Sequence, residues 1–333
     1  MIHTLEITHK ILSSKHFDEI YKSITFIGNS KLRKVKEGCY VTNSLREWGF
    51  TQIQLISKKV DKKYKYNIMQ MKIILNPKRL IDSKSNSIML NIDKERVIEV
   101  FNRRIKIIHN TLPLLEHWTT NRVDYALDIF TGDVEKYILL FQRGDKPKAF
   151  NELYCNKSKT RKQRKGSFYL FSESVNINFY NKEDESMKKN GDVERIRGIL
   201  RLEVQCKKVR TNYIKKKNKF ESKQLKYYFI EHESQKQIKE YYRKTVGVGD
   251  YYKLEKAIEL VNKSNYSNSI KSKLIKTLKL VSKHRSIWKA RNNRSCSEKS
   301  FNKYLRLLRK MNINPVTIPI RWETEKLPNI LNC

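Results

Sequence analysis

The sequence predicts an α+β fold: a largely antiparallel central sheet with flanking helices, followed by a basic α-helical C-terminal region. Three observations predict it. Apolar and polar residues alternate with period two in several runs before residue 207, an amphipathic helical pattern lies among those runs, and beyond a basic connector, KKVRTNYIKKKNKF at 207–220, the periodicity is helical nearly to the end. With 333 residues and 39 % hydrophobic content the chain can bury a sizeable core, and its length suits roughly two domains, read here as 1–206 and 207–333.

Taken in order, Thr4 to Ile7 reads as a short strand and Ser14 to Tyr21 as a helix. The runs Thr51–Ile56 and Met69–Leu75 flank the polar VDKKYKY and predict a long hairpin, ended by Asn76-Pro77 because proline cannot donate to the ladder. Residues 93–109 carry Val97, Val100, Phe101, Ile105 and Ile108 at helical spacing, which gives one face to pack on a sheet. In 121–130, Val123, Tyr125, Leu127 and Ile129 share one face and Arg122, Asp124, Ala126 and Asp128 the other. In 175–182, Val175, Ile177 and Phe179 face in while Asn176, Asn178, Tyr180 and Lys182 face out. In 199–206, Leu200, Leu202, Val204 and Cys206 oppose Arg201, Glu203 and Gln205. If these three strands are neighbours, their polar rows share one surface.

Between the first two of those strands lie a helix from Asp133 to Gln142 and a hairpin pairing Lys148–Tyr154 with Ser167–Phe171. The hairpin tip, 157–166, holds six cations (Lys157, Lys159, Arg161, Lys162, Arg164, Lys165) and no acid, and is expected to grip phosphates. GVGD at 247–250 reads as a turn between helices. Two basic amphipathic stretches follow: 269–284, with Ile270, Leu274, Leu278 and Val281 as its apolar stripe, and 297–315, with Phe301, Leu305 and Leu308, opened by a capping Ser297. They suit a helix-turn-helix reader of duplex DNA and suit equally a packed bundle with solvated lysine faces.

Charge narrows the function. The chain carries 71 Lys+Arg against 34 Asp+Glu, a net charge of +37, and residues 207–333 alone hold 32 basic and 10 acidic residues. Such an excess repels itself and is relieved by a polyanion, with nucleic acid first because neutralised phosphates release counterions. A lysine-rich genome accounts for part of the excess. No run approaches the ~18 apolar residues of a membrane span, neither terminus offers a lipid signal, and no membrane partner is expected. The start MIHTLEITHKIL lacks the pattern of a secretory leader and reads as mature cytoplasmic protein. The five cysteines (Cys39, Cys155, Cys206, Cys296, Cys333) are scattered, as suits reduced thiols.

The chemistry sits in the minority charge. Asp124, Asp128 and Glu203 lie on polar strand rows, and carboxylates on neighbouring strands are what Mg²⁺ or Mn²⁺ needs, being hard cations that take oxygen ligands. Tyr180, on the corresponding row, can attack a metal-bound phosphate, with Lys182 to hold an oxygen or lower the phenol pKa. The plain alternative is a polar strand face with an ordinary tyrosine. There is no G-x-x-x-x-G-K-[ST] loop for ATP, no hydrolase nucleophile turn, and no Arg and His constellation of a tyrosine recombinase beyond His284-Arg285.

The order R-x-D-x-x-x-D (Arg122, Asp124, Asp128), Y-x-K (Tyr180, Lys182) followed by Glu183 and Glu185, then R-x-E (Arg201, Glu203), resembles rolling-circle replication initiators. It is most similar to the filamentous-phage gene II endonuclease group and more loosely to the staphylococcal plasmid initiators. IILNPKRLI at 73–81 also looks like the N-P element of the phage group, and the resemblance covers roughly residues 50–210. It implies an enzyme that nicks one strand at an origin in single-stranded or supercoiled DNA, stays linked through tyrosine to the 5′ phosphate and later rejoins the ends. Carried over, Tyr180 is the nucleophile, Asp124 and Glu203 hold Mg²⁺ or Mn²⁺, and Asp128 is a further ligand. Arg122, Lys182 and Arg201 become DNA contacts or strand-pairing supports. A host helicase is the implied partner, and a homodimer is compatible with the pattern. Two departures stand out: Asn181, where an acid tends to follow the tyrosine in the plasmid group, and the absence of any H-x-H motif. Among the histidines, His117 lies nearest in sequence to the R-x-D strand. Tyr169 and Tyr213 are conceivable helpers by sequence proximity. The reading from another class is a non-enzymatic DNA-binding protein, a repressor or replication accessory factor.

Overall fold

The computed structural model describes residues 1–59, 67–85, 87–152, 167–187 and 196–331. The chain opens with β1 (Ile2–Ile11), α1 (Ser14–Ile27), β2 (Arg33–Lys36), β3 (Cys39–Thr42), β4 (Phe50–Lys59) and β5 (Asn67–Leu75). Then come α2 (Pro77–Ile81), α3 (Lys94–Ile108), β6 (Thr119–Phe130), α4 (Val134–Gln142), β7 (Asn151–Glu152) and β8 (Ser167–Phe171). The middle continues with β9 (Val175–Asn181), α5 (Lys182–Met187), β10 (Ile199–Cys206), α6 (Lys208–Lys217) and α7 (Glu231–Thr245). The last elements are β11 (Tyr251–Tyr252), α8 (Leu254–Asn262), α9 (Asn268–His284), α10 (Ile287–Asn292), α11 (Glu298–Lys310) and β12 (Lys326–Leu327).

This is the expected α+β class: a large antiparallel sheet flanked by helices, with helices dominating the C-terminal half. The strand order is β2-β3-β4-β5-β1-β6-β10-β9-β8-β7, and β11 pairs with β12 in a small separate ladder. β4 and β5 form the expected hairpin, with Ile53 opposite Ile73 and Leu55 opposite Met71. The sequence-based reading of Thr4–Ile7 as a short strand understates β1, which is ten residues long and lies between β5 and β6, antiparallel to both. Asn76-Pro77 does more than stop β5: the Asn76 side chain accepts from the Lys78 amide and Pro77 opens α2, a use of proline's missing N–H at the first turn.

The chain divides into two compact units, each discontinuous in sequence: Met1–Asp128 with Glu173–Asn176 and Leu202–Ile238, and Ile129–Ser172 with Ile177–Arg201 and Lys239–Cys333. Of the basic region 207–333, residues 207–238 belong to the first unit and 239–333 to the second. In that unit the apolar rows of β1, β4 and β5 (Leu5, Ile7, Ile53, Leu55, Ile73) are buried, as are Phe17, Ile20 and Ile24 of α1 and Val97, Phe101 and Ile105 of α3. Phe101 stands edge-on to both Phe50 and Trp118, at 5.7 and 5.8 Å between ring centroids. In the second unit Phe141 of α4 packs on Phe179 of β9 at 5.0 Å. Its helices share a separate core of Ala257, Val261, Leu274, Leu278, Leu308 and Ile313. Among the described residues no helix is long and apolar enough to cross a membrane. Among the described residues the cysteines form no disulfide, with Cys39 and Cys206 buried and Cys296 exposed.

Candidate functional site

The polar rows of the first unit meet as a connected set. Arg122 Nε lies 3.1 Å from Asp124 Oδ1. Gln205 Nε2 donates to Asp124 Oδ2 at 3.2 Å, and Asn176 Nδ2 donates to Gln205 Oε1 at 2.7 Å, so one amide chain ties β6, β10 and β9. Glu6 of β1 sits opposite Arg122 in register and pairs with Lys72 at 2.8 Å. These side chains are not a solvated face: Asp124 is only 3 % exposed and Glu203 7 %. Period two identifies which residues share a face but says nothing of what covers it, and buried charges survive because each has an opposite charge or a donor.

Burial is the largest influence on Asp124 and drives its carboxyl upward. Arg122 pulls it back, the charge of Glu203 pushes it up again, and the hydrogen bond from Gln205 pulls it down, leaving it at about 7. Asp124 and Glu203 are therefore close enough to feel each other's charge.

A histidine completes the group, and it is His3, not His117. Its Nδ1 lies 3.2 Å from Glu203 Oε1 and 3.1 Å from Thr4 Oγ1. β1 is bulged there: Ile2 pairs with Tyr125 and Thr4 with Asp124, so His3 is the extra residue, and a bulge re-aims its side chain. No pattern in the sequence marks this, because the bulge exists only relative to the partner strand. His117 is exposed, in the short turn before Trp118. Asp128 lies four residues beyond Asp124 on β6 and is partly buried.

Asp124 and Glu203 offer two carboxylates to a cation. Among the described residues no group of three or more His, Cys, Asp or Glu side chains is arranged to hold a metal ion. A Mg²⁺ or Mn²⁺ site can be built on one or two carboxylates when waters and substrate phosphates fill the other positions. The mutual charge of Asp124 and Glu203 is the feature that fits such an ion.

The second unit holds Tyr180, Lys182 and Arg201. Tyr180 is 7 % exposed on the penultimate position of β9, next to the fully buried Phe179, so both faces of the strand are covered there. Lys182 departs from the expected strand position. β9 ends at Asn181, whose Oδ1 accepts from the Glu183 amide at 3.0 Å, and Lys182 is the first residue of α5. Its ammonium is 2 % exposed and lies 2.6 Å from Glu185 Oε2, a geometry of structural support rather than of an open phosphate contact. Arg201 is fully buried. Beside Asn181 and Glu183 opens a cleft of ≈ 660 Å³, lined also by Phe130, Asp133, Lys136 and Arg197. Tyr169 is partly buried on β8.

The expected hairpin is present as β7 paired with β8, but Lys157, Lys159, Arg161, Lys162, Arg164 and Lys165 lie outside the described residues. The C-terminal stretches form α9 and α11, and Ser297 caps α11 by accepting from the Ser300 amide. On α11, Phe301, Leu305 and Leu308 are buried while Lys299, Lys303, Arg306 and Lys310 form an exposed stripe.

No protein-family model matches the chain, and no curated protein matches it.

Proposed function

We propose that the chain is a divalent-metal-dependent DNA nicking and joining enzyme of the kind that initiates rolling-circle replication of a phage or plasmid. The observation that carries this reading is that Asp124 and Glu203, on strands β6 and β10, are both buried, with the charge of Glu203 acting on the Asp124 carboxyl, in a chain of net charge +37. Asp124 and Glu203 are assigned to hold Mg²⁺ or Mn²⁺, which when bound would neutralise charge developing on a phosphate. Arg122 positions Asp124 through their ion pair, and His3 does the same for Glu203. Tyr180 is assigned as nucleophile. Its oxygen forms the new bond to phosphorus as the bond to the 3′ oxygen breaks, the phenol proton passes to solvent and the 3′ oxygen takes one up. Lys182 and Arg201, being buried, are assigned to support strands β9 and β10. The exposed stripe of α11 supports contact with duplex DNA around the origin. A cytoplasmic place and a host helicase as partner belong to the same reading.

The second reading, a non-enzymatic DNA-binding protein, is favoured by one observation: Tyr180 and Lys182 are both buried. Incubation with single-stranded or supercoiled origin DNA and Mn²⁺ separates the two. A covalent protein–DNA adduct that disappears in Tyr180→Phe and is diminished in Asp124→Asn and Glu203→Gln is the expected result. An adduct that persists in Tyr180→Phe removes that tyrosine from the role. No adduct with either metal leaves the binding module.

A further inference from the structure

The segment after β10, KVRTNYIKKK, reads in sequence as a basic connector, yet it folds as α6 and presents an aromatic ring among cations. Tyr213 is 48 % exposed, far more than most tyrosines here that pack in cores. Helical spacing puts Arg210 one turn before it and Lys217 one turn after, on its own face. The Arg210 guanidinium carbon lies 4.9 Å from the ring centroid and Lys217 Nζ 5.8 Å. Arg210 is itself fixed, because its Nε and Nη2 both donate to Gln237 Oε1, at 2.9 and 2.7 Å, in a buried setting. The ring is thus held by an anchored cation while much of its surface faces water.

The surroundings are cationic and uncompensated. Lys223, just beyond α6, is partly buried, and its backbone carbonyl accepts from the Thr120 amide of β6 at 2.8 Å. Burial, then the charges of Lys208 and Lys215, push its ammonium down to about 8; Lys208 and Lys215, five positions before and two after Tyr213, lie on the other side of α6 from the ring. Among the described residues no carboxylate pairs with Lys216 or Lys217, both exposed and one turn after Tyr213, whereas Lys256 of α8 and Lys263 just beyond it share Glu259. Unpaired cations beside an exposed ring suit a polyanion that also offers flat apolar faces.

We propose that this face of α6 binds single-stranded DNA, with a base stacked on Tyr213 and backbone phosphates on Lys216 and Lys217. A single strand is the fitting occupant because its bases offer free faces to an aromatic ring, while duplex bases are stacked on each other. The inference does not rest on the nicking reading, since binding needs neither Tyr180 nor a metal.

The test uses the full chain in EDTA with a fluorescein-labelled oligo(dT) of about 20 nucleotides, followed by anisotropy. Tyr213→Leu, which keeps apolar bulk and loses the ring, is expected to weaken binding about 5- to 150-fold, the range for a lost base–aromatic stack. Tyr213→Trp retains affinity, and Lys256→Gln, whose lysine is already paired with Glu259, binds as the parent does. Lys216→Gln with Lys217→Gln lowers the slope of log affinity against log salt by about 1.4, at roughly 0.7 for each phosphate contact. The urea midpoint of each variant, unchanged, confirms that binding rather than folding is read. Binding of Tyr213→Leu within two-fold of the parent overturns the proposal, as does an equal loss on duplex DNA of the same length.

Discussion

Arg122 Nε lies 3.1 Å from Asp124 Oδ1, two positions along one strand, and this ion pair restrains a carboxyl that burial drives upward. The consequence is a pH signature. The Asp124 carboxyl stands at about 7 in the folded chain against an ordinary value of 3.8, so between these values the native state holds a proton that the unfolded state has released. Stability from this group is therefore greatest at acid pH, falls as pH rises from about 4 to about 7, and is level above. Asp124→Asn removes that slope, and Arg122→Gln extends it to higher pH. Urea midpoints of parent and variants between pH 4 and 8 check the sign; a variant curve parallel to the parent's would show that Asp124 titrates as an ordinary carboxylate.

On α11 the four exposed cations Lys299, Lys303, Arg306 and Lys310 recur at intervals that keep them on one face, opposite the buried Phe301, Leu305 and Leu308. Changing all four to Gln is expected to lower the log–log salt slope of duplex DNA binding by about 3.6, at roughly 0.9 per phosphate contact. Surface positions of this kind should alter stability by no more than about 0.5 kcal/mol. Lys256→Gln with Lys263→Gln is the internal control: those lysines are already paired with Glu259, and their loss should leave the slope nearly unchanged. Anisotropy titrations across a salt series decide it.

The turn after α7 makes two glycines unequal. Both have positive φ, +81° at Gly247 and +94° at Gly249. A Cβ at Gly247 would meet the Arg309 guanidinium at 2.8 Å, while one at Gly249 would meet the backbone of Ile313 and Asn314 at 2.7 and 2.8 Å. A side chain can swing away and a backbone cannot. Gly249→Ala is therefore expected to destabilise more than Gly247→Ala, with both variants losing at least about 1 kcal/mol to the left-handed conformation. Thermal or urea unfolding ranks them.

Asn329 holds the same turn from the other side. Its Nδ2 donates to the carbonyls of Gly247 and Gly249, both at 3.1 Å, and its Oδ1 accepts from Tyr242 Oη at 2.7 Å, all buried. Asn329→Ala takes a donor from two buried carbonyls and should cost about 2–3 kcal/mol. Asn329→Asp keeps the acceptor but not the donors, and is expected to be at least as damaging. Equilibrium urea unfolding measures both.

Sequence alone determined the strands and helices whose pattern is local. β6, β9 and β10 alternate strictly enough to be read from Val123, Ile177 and Leu202, and α3, α9 and α11 repeat their apolar residues at helical spacing. Proline and Ser297 mark ends because their effects reach only a few residues. Sequence also put Arg122, Asp124, Glu203 and Gln205 on polar rows. Tertiary structure decided the rest, because contacts between distant segments leave no periodic trace. The placing of β1 between β5 and β6, the bulge that turns His3 to Glu203, the burial of Lys182 against Glu185 and the exposure of Tyr213 all depend on what lies on the far side of a face. An alternating pattern reports which side chains point the same way; only packing decides whether that way leads to water, to an opposite charge or to a carboxylate that cannot easily ionise.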